Sequence, residues 1–316
     1  MHIALATLAN DAGGVFSRDR ALALGVDDKE LGRLVRRGDL VRLRRGAYTL
    51  ARTYDEADAV GRHRLLVRAV QLALRERVVV SHVSAAVMHG LALWGVDLSR
   101  VHVTRLDGGT PHDRAGVEHH VGAVDLADVV LCDGVPTVSV ARAVVECATT
   151  VGFEPAVVLA DSALHRGQVT CSDLLAKLDG MRSWPGAVTA GHVVSFADGL
   201  AESVGESRAR VLFAQQGLPT PVLQREMYDA RGELIGRVDF LFAAERTIVE
   251  FDGLIKYGRD GNASNAVVRE KLREDALREL GYEIVRIVWA DLAHPARTAA
   301  RVRAASARAR ARRRVA

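Results

Sequence analysis

Two apolar stretches near the C-terminus carry acidic residues in their interiors, and this pattern constrains the fold more than any other feature. Asp239 interrupts the run GRVDFLF, and Glu250 and Asp252 interrupt the run TIVEFDG. Side chains alternate between the two faces of a strand. If the two strands pair as an antiparallel hairpin, all three carboxylates lie on one side of a sheet, and the apolar residues form a core on the other.

The elements around these strands follow a definite order. A helix ends at Gly217, the turn DARGE joins two strands, a third strand contains Glu250, and a second helix ends at Gly281 before a fourth strand. Glycine is the usual residue just after a helix C-terminus. The sequence therefore predicts an α-β-β-β-α-β domain over residues 196–300.

The acidic residues of this domain are candidates for a metal site. Clustered carboxylates repel one another unless a cation lies between them, and oxygen ligands suit Mg²⁺ or Mn²⁺. Such an ion can activate water against a phosphodiester. We therefore expect Asp239, Glu250 and Asp252 to bind Mg²⁺ (or Mn²⁺). Glu206, on the preceding helix, is a further catalytic candidate, although a helical ion pair with Arg210 also explains it.

Four motifs follow one another in this segment: ESRAR, GRVDF, VEFDGLIKYG and REKLREDALRELGYEIVRIVW. In this order, residues 201–295 resemble the PD-(D/E)XK nuclease superfamily, in its very-short-patch-repair-like endonuclease branch. The resemblance implies a restriction-endonuclease-like fold in which Asp239 and Glu250 bind the metal and Glu206 is an accessory acid.

One position departs from the superfamily pattern. The superfamily's lysine stands two residues after the glutamate, where this chain has Asp252. Lys256, or Lys271 on the following helix, would have to offset the charge that develops on the phosphate. Two hypotheses therefore remain open: a Mg-dependent endonuclease, and a non-catalytic transcriptional autorepressor that keeps a degenerate nuclease fold.

Residues 1–52 have a different pattern. Ser17 can cap a short helix that ends at Gly25, and Asp27 with Glu30 forms a capping box before the helix DDKELGRLVRRGDL. Two short strands around a basic turn follow. This order predicts a winged helix-turn-helix.

Six arginines lie on the second helix and on the hairpin of this segment. They are Arg33, Arg36, Arg37, Arg42, Arg44 and Arg45. A helix of this kind fits the major groove, and a basic wing can reach phosphates. We predict that these residues bind DNA; a solvated helix face followed by an ordinary turn is the alternative.

The stretch FSRDRALALGVDDKELGRLVRRGDLVRLRRGAY resembles the winged-helix domain of AbiEi-type antitoxins from type IV toxin–antitoxin systems. The stretches SHVSAAVMHGLALWG and DGVPTVSVARAVVECA resemble the second domain of those proteins, so that the resemblance covers about residues 1–165. It implies a transcriptional regulator that binds DNA, with its own promoter as one target and a cognate toxin as a second partner.

The middle segment, residues 53–195, alternates short strands with helices, so the overall fold class is α/β (α+β overall). Its histidines include His63, His82, His119 and His120. They fit core or capping positions better than a second metal site.

The last segment, residues 301–316, contains seven arginines and no acid. The whole chain has a net charge of +4, so without these seven charges it would carry −3. We expect this segment to be a disordered basic arm that adds non-specific affinity for nucleic acid.

No apolar run approaches the length of a membrane span. The three cysteines, Cys132, Cys147 and Cys171, have no paired or zinc-binding spacing. We therefore expect a reduced, cytoplasmic protein.

Overall fold

The structure, a computed structural model, describes residues 3–74, 78–107, 112–114, 116–253 and 263–315. Within these ranges the chain forms fourteen helices and three sheets, which confirms the predicted mixed α and β class. None of the helices in these ranges combines the length and apolar composition needed to cross a membrane. The chain divides into two compact units, residues 1–159 with 167–196 and residues 160–166 with 197–316.

The first unit begins with a small helical bundle and a three-stranded sheet. Its elements are α1 Ile3–Asp11, β1 Phe16–Ser17, α2 Arg18–Ala23, α3 Asp28–Arg36, β2 Leu40–Arg44 and β3 Ala47–Leu50. The sheet order is β1-β3-β2, and β2 pairs with β3 as an antiparallel hairpin. From α2 to β3 this is the predicted winged-helix order, and α3 corresponds to the second predicted helix.

Local sequence explains where these helices start. The Ser17 side chain accepts a hydrogen bond from the Arg20 N–H, and the Asp27 side chain accepts one from the Glu30 N–H. Both predicted N-cap residues, Ser17 and Asp27, are therefore confirmed. Helix α1, which the sequence reasoning missed, buries Leu5 and Ala9 in the same core as α3.

The rest of the first unit is built on a six-stranded sheet of order β6-β7-β5-β4-β9-β8. Its strands are β4 Val78–Val80, β5 Val101–Arg105, β6 His112–Arg114, β7 Val117–Val121, β8 Val129–Cys132 and β9 Val135–Val138. Its helices are α4 Ala51–Glu56, α5 Ala59–Leu74, α6 His82–Met88, α7 Val140–Thr150, α8 Phe153–His165, α9 Cys171–Gly180 and α10 Ala187–Phe196. The end of α8, from Ala160, is counted with the second unit. Valines from the central strands dominate the core of this sheet.

The second unit contains the predicted α-β-β-β-α-β order. Its elements are α11 Val204–Gln215, β10 Val222–Tyr228, β11 Leu234–Phe242, β12 Thr247–Asp252, α12 Ala263–Glu279, β13 Glu283–Val288, α13 Trp289–Leu292 and α14 Pro295–Val315. The strand order is β10-β11-β12-β13, in which only the β12–β13 pair is parallel. A parallel pair needs a crossover connection, and α12 lies in it.

The two faces of this sheet pack against different side chains, and one predicted face is wrong. Phe240 packs in the core with Phe242, as expected, but Val238 packs in a separate cluster with Leu241 and Ile248. The pairing between β11 and β12 starts only at Phe240. Simple alternation therefore does not hold at Val238, in the middle of β11.

The arginine-rich C-terminus is helical, so the predicted disordered arm is wrong. Buried residues Ala299, Val302, Ala305 and Ala309 recur every three or four positions along α14. This spacing places them on one helix face. Arg308 and Arg312 each approach Glu283 of β13 at 2.9 Å. The small apolar residues between the arginines thus form a helix face that packs against the rest of the unit. Two of the arginines form ion pairs within the unit and do not remain free for nucleic acid.

Candidate nucleic-acid interface and carboxylate cluster

A groove of about 1470 Å³ in the first unit gathers arginines from separate elements. We call it the arginine groove; its arginines are Arg18, Arg20, Arg36, Arg42, Arg45 and Arg68. The acidic side chains in its lining are Asp19 and Asp28, so positive charge predominates. The groove runs past α2, α3 and the β2–β3 hairpin, and α5 and the β8–β9 turn also line it.

The groove contains half of the arginines that the sequence analysis assigned to DNA. Arg36 comes from α3, and Arg42 and Arg45 come from the hairpin. None of these three has an acidic partner within the described ranges. Their charges are therefore available to an external anion.

The other three predicted arginines lie outside the lining of the groove. Arg33 forms an ion pair with Glu30 at 2.6 Å, and Arg37 forms one with Asp39 at 3.2 Å. Arg44 is half-buried, and desolvation lowers the pKa of its guanidinium. Their assignment to DNA binding stays a prediction.

Sequence reasoning missed three residues of the groove. Arg18 donates two hydrogen bonds to Asp28, at 2.5 and 2.6 Å, and this interaction lowers the pKa of Asp28. Arg18 and Arg20 lie within three residues after the predicted N-cap Ser17, so their place at a helix start was a usable signal. Arg68 lies on α5, and no local pattern could have placed it beside the winged helix.

The second unit contains the predicted acidic residues, and Glu206 is held by several donors. Its Oε1 accepts from the Ser203 hydroxyl at 2.7 Å. Its Oε2 accepts from the Glu202 N–H at 3.0 Å and from Gln224 Nε2 at 2.8 Å. Glu206 is buried, and both of its carboxyl oxygens accept hydrogen bonds.

A close helix–strand approach fixes the position of Glu206. Gly205 packs directly on the ring of Phe251, and a Cβ at this position would overlap that ring. Only glycine allows α11 to come this near to β12. Glu206, the next residue, is thereby held beside the start of the β11–β12 pair.

Asp239 is linked to Glu206 through Gln224. Asp239 Oδ2 accepts the N–H of Phe251 at 2.8 Å, and the Gln224 side chain also hydrogen-bonds to this carboxyl. Burial raises the pKa of Asp239, and the negative charge of Glu206 raises it further. Gln224 has a φ of +49°, a backbone conformation that costs a non-glycine residue about 1–3 kcal/mol.

Glu250 is paired with arginine. Arg273 Nη2 of α12 approaches Glu250 Oε1 at 2.7 Å, and Arg286 of β13 lies 4.0 Å away. Burial raises the pKa of Glu250, whereas Arg273 counteracts that rise. Arg273 also binds Glu270 at 2.8 Å. The negative charge of Glu250 is therefore compensated by the protein itself.

The predicted convergence of the acidic residues on one metal ion is not found in this conformation. Across the described residues, no three of Glu206, Asp239, Glu250 and Asp252 bring ligand oxygens within 4.8 Å of one another. An arginine occupies the position next to Glu250 that a cation would take. The oxygen donors suit Mg²⁺ chemically, but their arrangement does not fit it, and metal binding by these residues stays a prediction.

The predicted catalytic lysine Lys256 lies outside the described residues. Its alternative, Lys271, lies exposed on α12.

Comparison with known proteins gives a match at the winged helix. Residues 4–51 match the family described as "Transcriptional regulator, AbiEi antitoxin". This range spans α1 to β3 and includes Arg18, Arg20, Arg36, Arg42 and Arg45 of the arginine groove. The N-terminal part of the chain is therefore similar to AbiEi-type transcriptional regulators.

Two relatives are similar to this protein over most of the chain. The "Uncharacterized protein MT2308" of Mycobacterium tuberculosis strain CDC 1551 / Oshkosh is 31% identical over 274 residues, which cover 85% of this chain and 93% of that protein. The chain belongs to the same family. The "Uncharacterized protein Rv2248" of strain ATCC 25618 / H37Rv matches with the same identity and coverage.

Among solved structures, the "RV2827C protein from Mycobacterium tuberculosis" aligns with 71% of this chain and 87% of its own, at 17% identity and a TM-score of 0.41. A likeness at this level carries no argument about fold or function.

The pKa shift of Asp239 generates a prediction about stability. Because the folded state binds the Asp239 proton more tightly than the unfolded state, this carboxyl destabilises the fold once the pH rises above its unfolded pKa. Asparagine keeps an acceptor for the Phe251 N–H and removes the charge. We expect Asp239→Asn to have a higher free energy of unfolding than the wild type at neutral pH. The difference should shrink as the pH falls towards 3.8, the ordinary pKa of aspartate.

Urea unfolding at a series of pH values measures this difference. Glu233→Gln, an exposed residue just before β11, removes the same charge and should change stability by no more than about 0.5 kcal/mol. A variant Asp239→Asn that is less stable than the wild type at neutral pH would contradict the argument.

Proposed function

We propose that this protein is a transcriptional regulator that binds duplex DNA through the arginine groove. The observation that carries the proposal is that Arg36, Arg42 and Arg45 meet in one groove without acidic partners among the described residues. The match of residues 4–51 to AbiEi regulators supports it.

Two elements of the winged helix, α3 and the β2–β3 hairpin, contact different parts of the duplex in this proposal. Helix α3 is the element that enters the major groove in domains of this kind, and its C-terminal Arg36 lies at the edge of the arginine groove. The hairpin arginines, Arg42 and Arg45, contact phosphates as a wing does. Phosphate contacts position the protein, and contacts to base edges specify the sequence. The duplex upstream of the protein's own gene is the first target to test, and a cognate toxin is the second partner that the AbiEi family suggests.

The proposal predicts a specific salt dependence. Each phosphate contact contributes about 0.9 to the slope of log affinity against log salt concentration. The double variant Arg42→Ala/Arg45→Ala loses two phosphate contacts, so we expect its slope to be smaller by about 1.8. Fluorescence anisotropy with a labelled duplex, titrated at several salt concentrations, measures both slope and affinity.

A charge-matched control separates contacts from net charge. Arg52 and Arg182 are more than three-quarters exposed and lie outside the groove lining. Arg52→Ala/Arg182→Ala removes the same charge and should leave the slope unchanged. Equal slopes for the groove variant and the wild type would overturn the proposal.

Metal-dependent DNA cleavage is a second candidate function. It is favoured by the α-β-β-β-α-β order of the second unit together with Asp239 and Glu250, two partly buried acidic residues on adjacent strands. The Arg273–Glu250 pair and Asp252 in the lysine position weigh against it. No step through a metal ion follows from this geometry.

Plasmid nicking with Mg²⁺ or Mn²⁺ decides between the two candidates. The regulator proposal predicts no nicking above background by the wild type. Cleavage that is lost in Asp239→Asn and in Glu250→Gln, but kept in Glu233→Gln, would instead establish the second candidate. Cleavage that persists in Asp239→Asn would indicate a contaminating nuclease and would leave the regulator proposal standing.

A further inference from the structure

A second cluster of ligand side chains lies in the six-stranded sheet of the first unit. Strand β5 pairs with β7 in parallel, and the register sets His102 opposite Glu118 and Thr104 opposite His120. Residues two apart on a strand share a face. The pairing therefore brings His102, Glu118 and His120 together on one face, although β6 separates the two strands in sequence.

The ligand atoms of these three residues converge. His102 Nδ1 lies 2.9 Å from His120 Nε2. Glu118 Oε2 lies 3.9 Å from the first nitrogen, and Glu118 Oε1 lies 3.8 Å from the second. Across the described ranges, this is the only group of three or more such side chains whose ligand atoms all lie within 4.8 Å of one another.

These separations match the needs of a four-coordinate ion. Zn²⁺ binds histidine nitrogen at about 2.0–2.1 Å and carboxylate oxygen at about 2.0–2.2 Å, in a tetrahedral arrangement. Two such ligands on one tetrahedral ion lie roughly 3.3–3.5 Å apart, by the geometry of those bond lengths. The observed values fall on both sides of this distance, so small rotations of the three side chains are enough to form the site.

Metal ligation uses the neutral form of imidazole, in which one ring nitrogen carries a lone pair. Burial and the neighbouring histidines lower the pKa of His120 to about 4, and burial also lowers the pKa of His102. Without an ion the two rings can share only one N–H···N hydrogen bond. With an ion, each ring directs a lone pair at it and keeps its other nitrogen as a donor.

The cluster packs against the buried His82 on one side and is exposed to solvent at Glu118. His82 stacks on His120 with ring centroids 3.6 Å apart, and His82 is buried. The backbone N–H of His82 donates a hydrogen bond to Glu146 Oε2 at 3.1 Å. The backbone of His82 has a φ of +50°, which is rare for a residue with a side chain. The Glu118 side chain is 39% exposed, whereas His102 and His120 are 15% and 18% exposed. An ion can therefore enter beside Glu118.

We propose that His102, Glu118 and His120 bind a Zn²⁺ ion. Two imidazoles and one carboxylate form a donor set that Zn²⁺ uses when a fourth position stays open to water. The site is separate from the acidic residues of the second unit, and it does not depend on the proposed DNA-binding function.

Titration of the full chain with Co²⁺, followed by displacement with Zn²⁺, tests the proposal. Four-coordinate Co²⁺ gives an intense visible absorption, and we expect one such ion per chain. Calorimetry with Zn²⁺ gives the affinity. Loss of a residue that only hydrogen-bonds to a metal ligand lowers metal affinity by roughly 10–100-fold. His102→Ala and His120→Ala remove ligands themselves, so each should lower the Zn²⁺ affinity by more than that. Glu118→Gln, at an exposed position, serves as the ligand variant if the histidine variants do not fold by circular dichroism.

Two controls locate the ion. His192→Ala, at an exposed position on α10, should leave affinity and spectrum unchanged. Cys132 Sγ lies 3.4 Å from His89 Nδ1, so these two side chains are an alternative pair of metal ligands. If the ion is at His102, Glu118 and His120, Cys132→Ser should also leave affinity and spectrum unchanged. A wild type that binds no Co²⁺ or Zn²⁺ would overturn the proposal. So would binding that is unchanged in Glu118→Gln, or binding that is lost in Cys132→Ser.

Discussion

Buried acidic residues paired with arginines organise both units of this protein. In the first unit, Arg142 is 3% exposed and donates to Glu146 at 2.7 Å and to Asp128 at 3.2 Å. In the second unit, Arg210 donates to the buried Asp161 at 2.6 Å. Removal of one partner from such a pair leaves an uncompensated buried charge, at a cost of about 3–5 kcal/mol. These pairs therefore fix the helices that carry them, and Glu146 also holds the backbone of His82.

The candidate sites differ in whether their charged side chains have partners of opposite charge within the protein. In the arginine groove, Arg36, Arg42 and Arg45 have no acidic partner within the part of the chain that the structure describes, so they can bind phosphates. Among the acidic residues of the second unit, Arg273 already balances Glu250. In the histidine cluster, burial lowers the pKa of His102 and of His120, which favours the neutral rings that bind a metal. The winged helix thus presents Arg36, Arg42 and Arg45 to an external anion, whereas in the second unit the charge of Glu250 is already compensated by Arg273.

Local patterns in the sequence predicted most elements but few of the contacts between them. The caps at Ser17 and Asp27 and the order of the second unit were readable, because they depend on residues close together in the chain. The position of Arg68 in the groove depends on tertiary packing, and the meeting of His102 with His120 depends on strand register. The helical C-terminus was missed because its arginines obscured the helical spacing of its small apolar residues.

Hydrogen–deuterium exchange of the full chain, with and without the duplex from upstream of its own gene, tests the central claim most directly. The account predicts that DNA slows exchange in α3, Asp28–Arg36, and in the β2–β3 hairpin, Leu40–Leu50, which line the arginine groove. It predicts no comparable change in β11 and β12. Protection confined to β11 and β12, with none in the winged helix, would contradict it and would place DNA beside Asp239 and Glu250 instead.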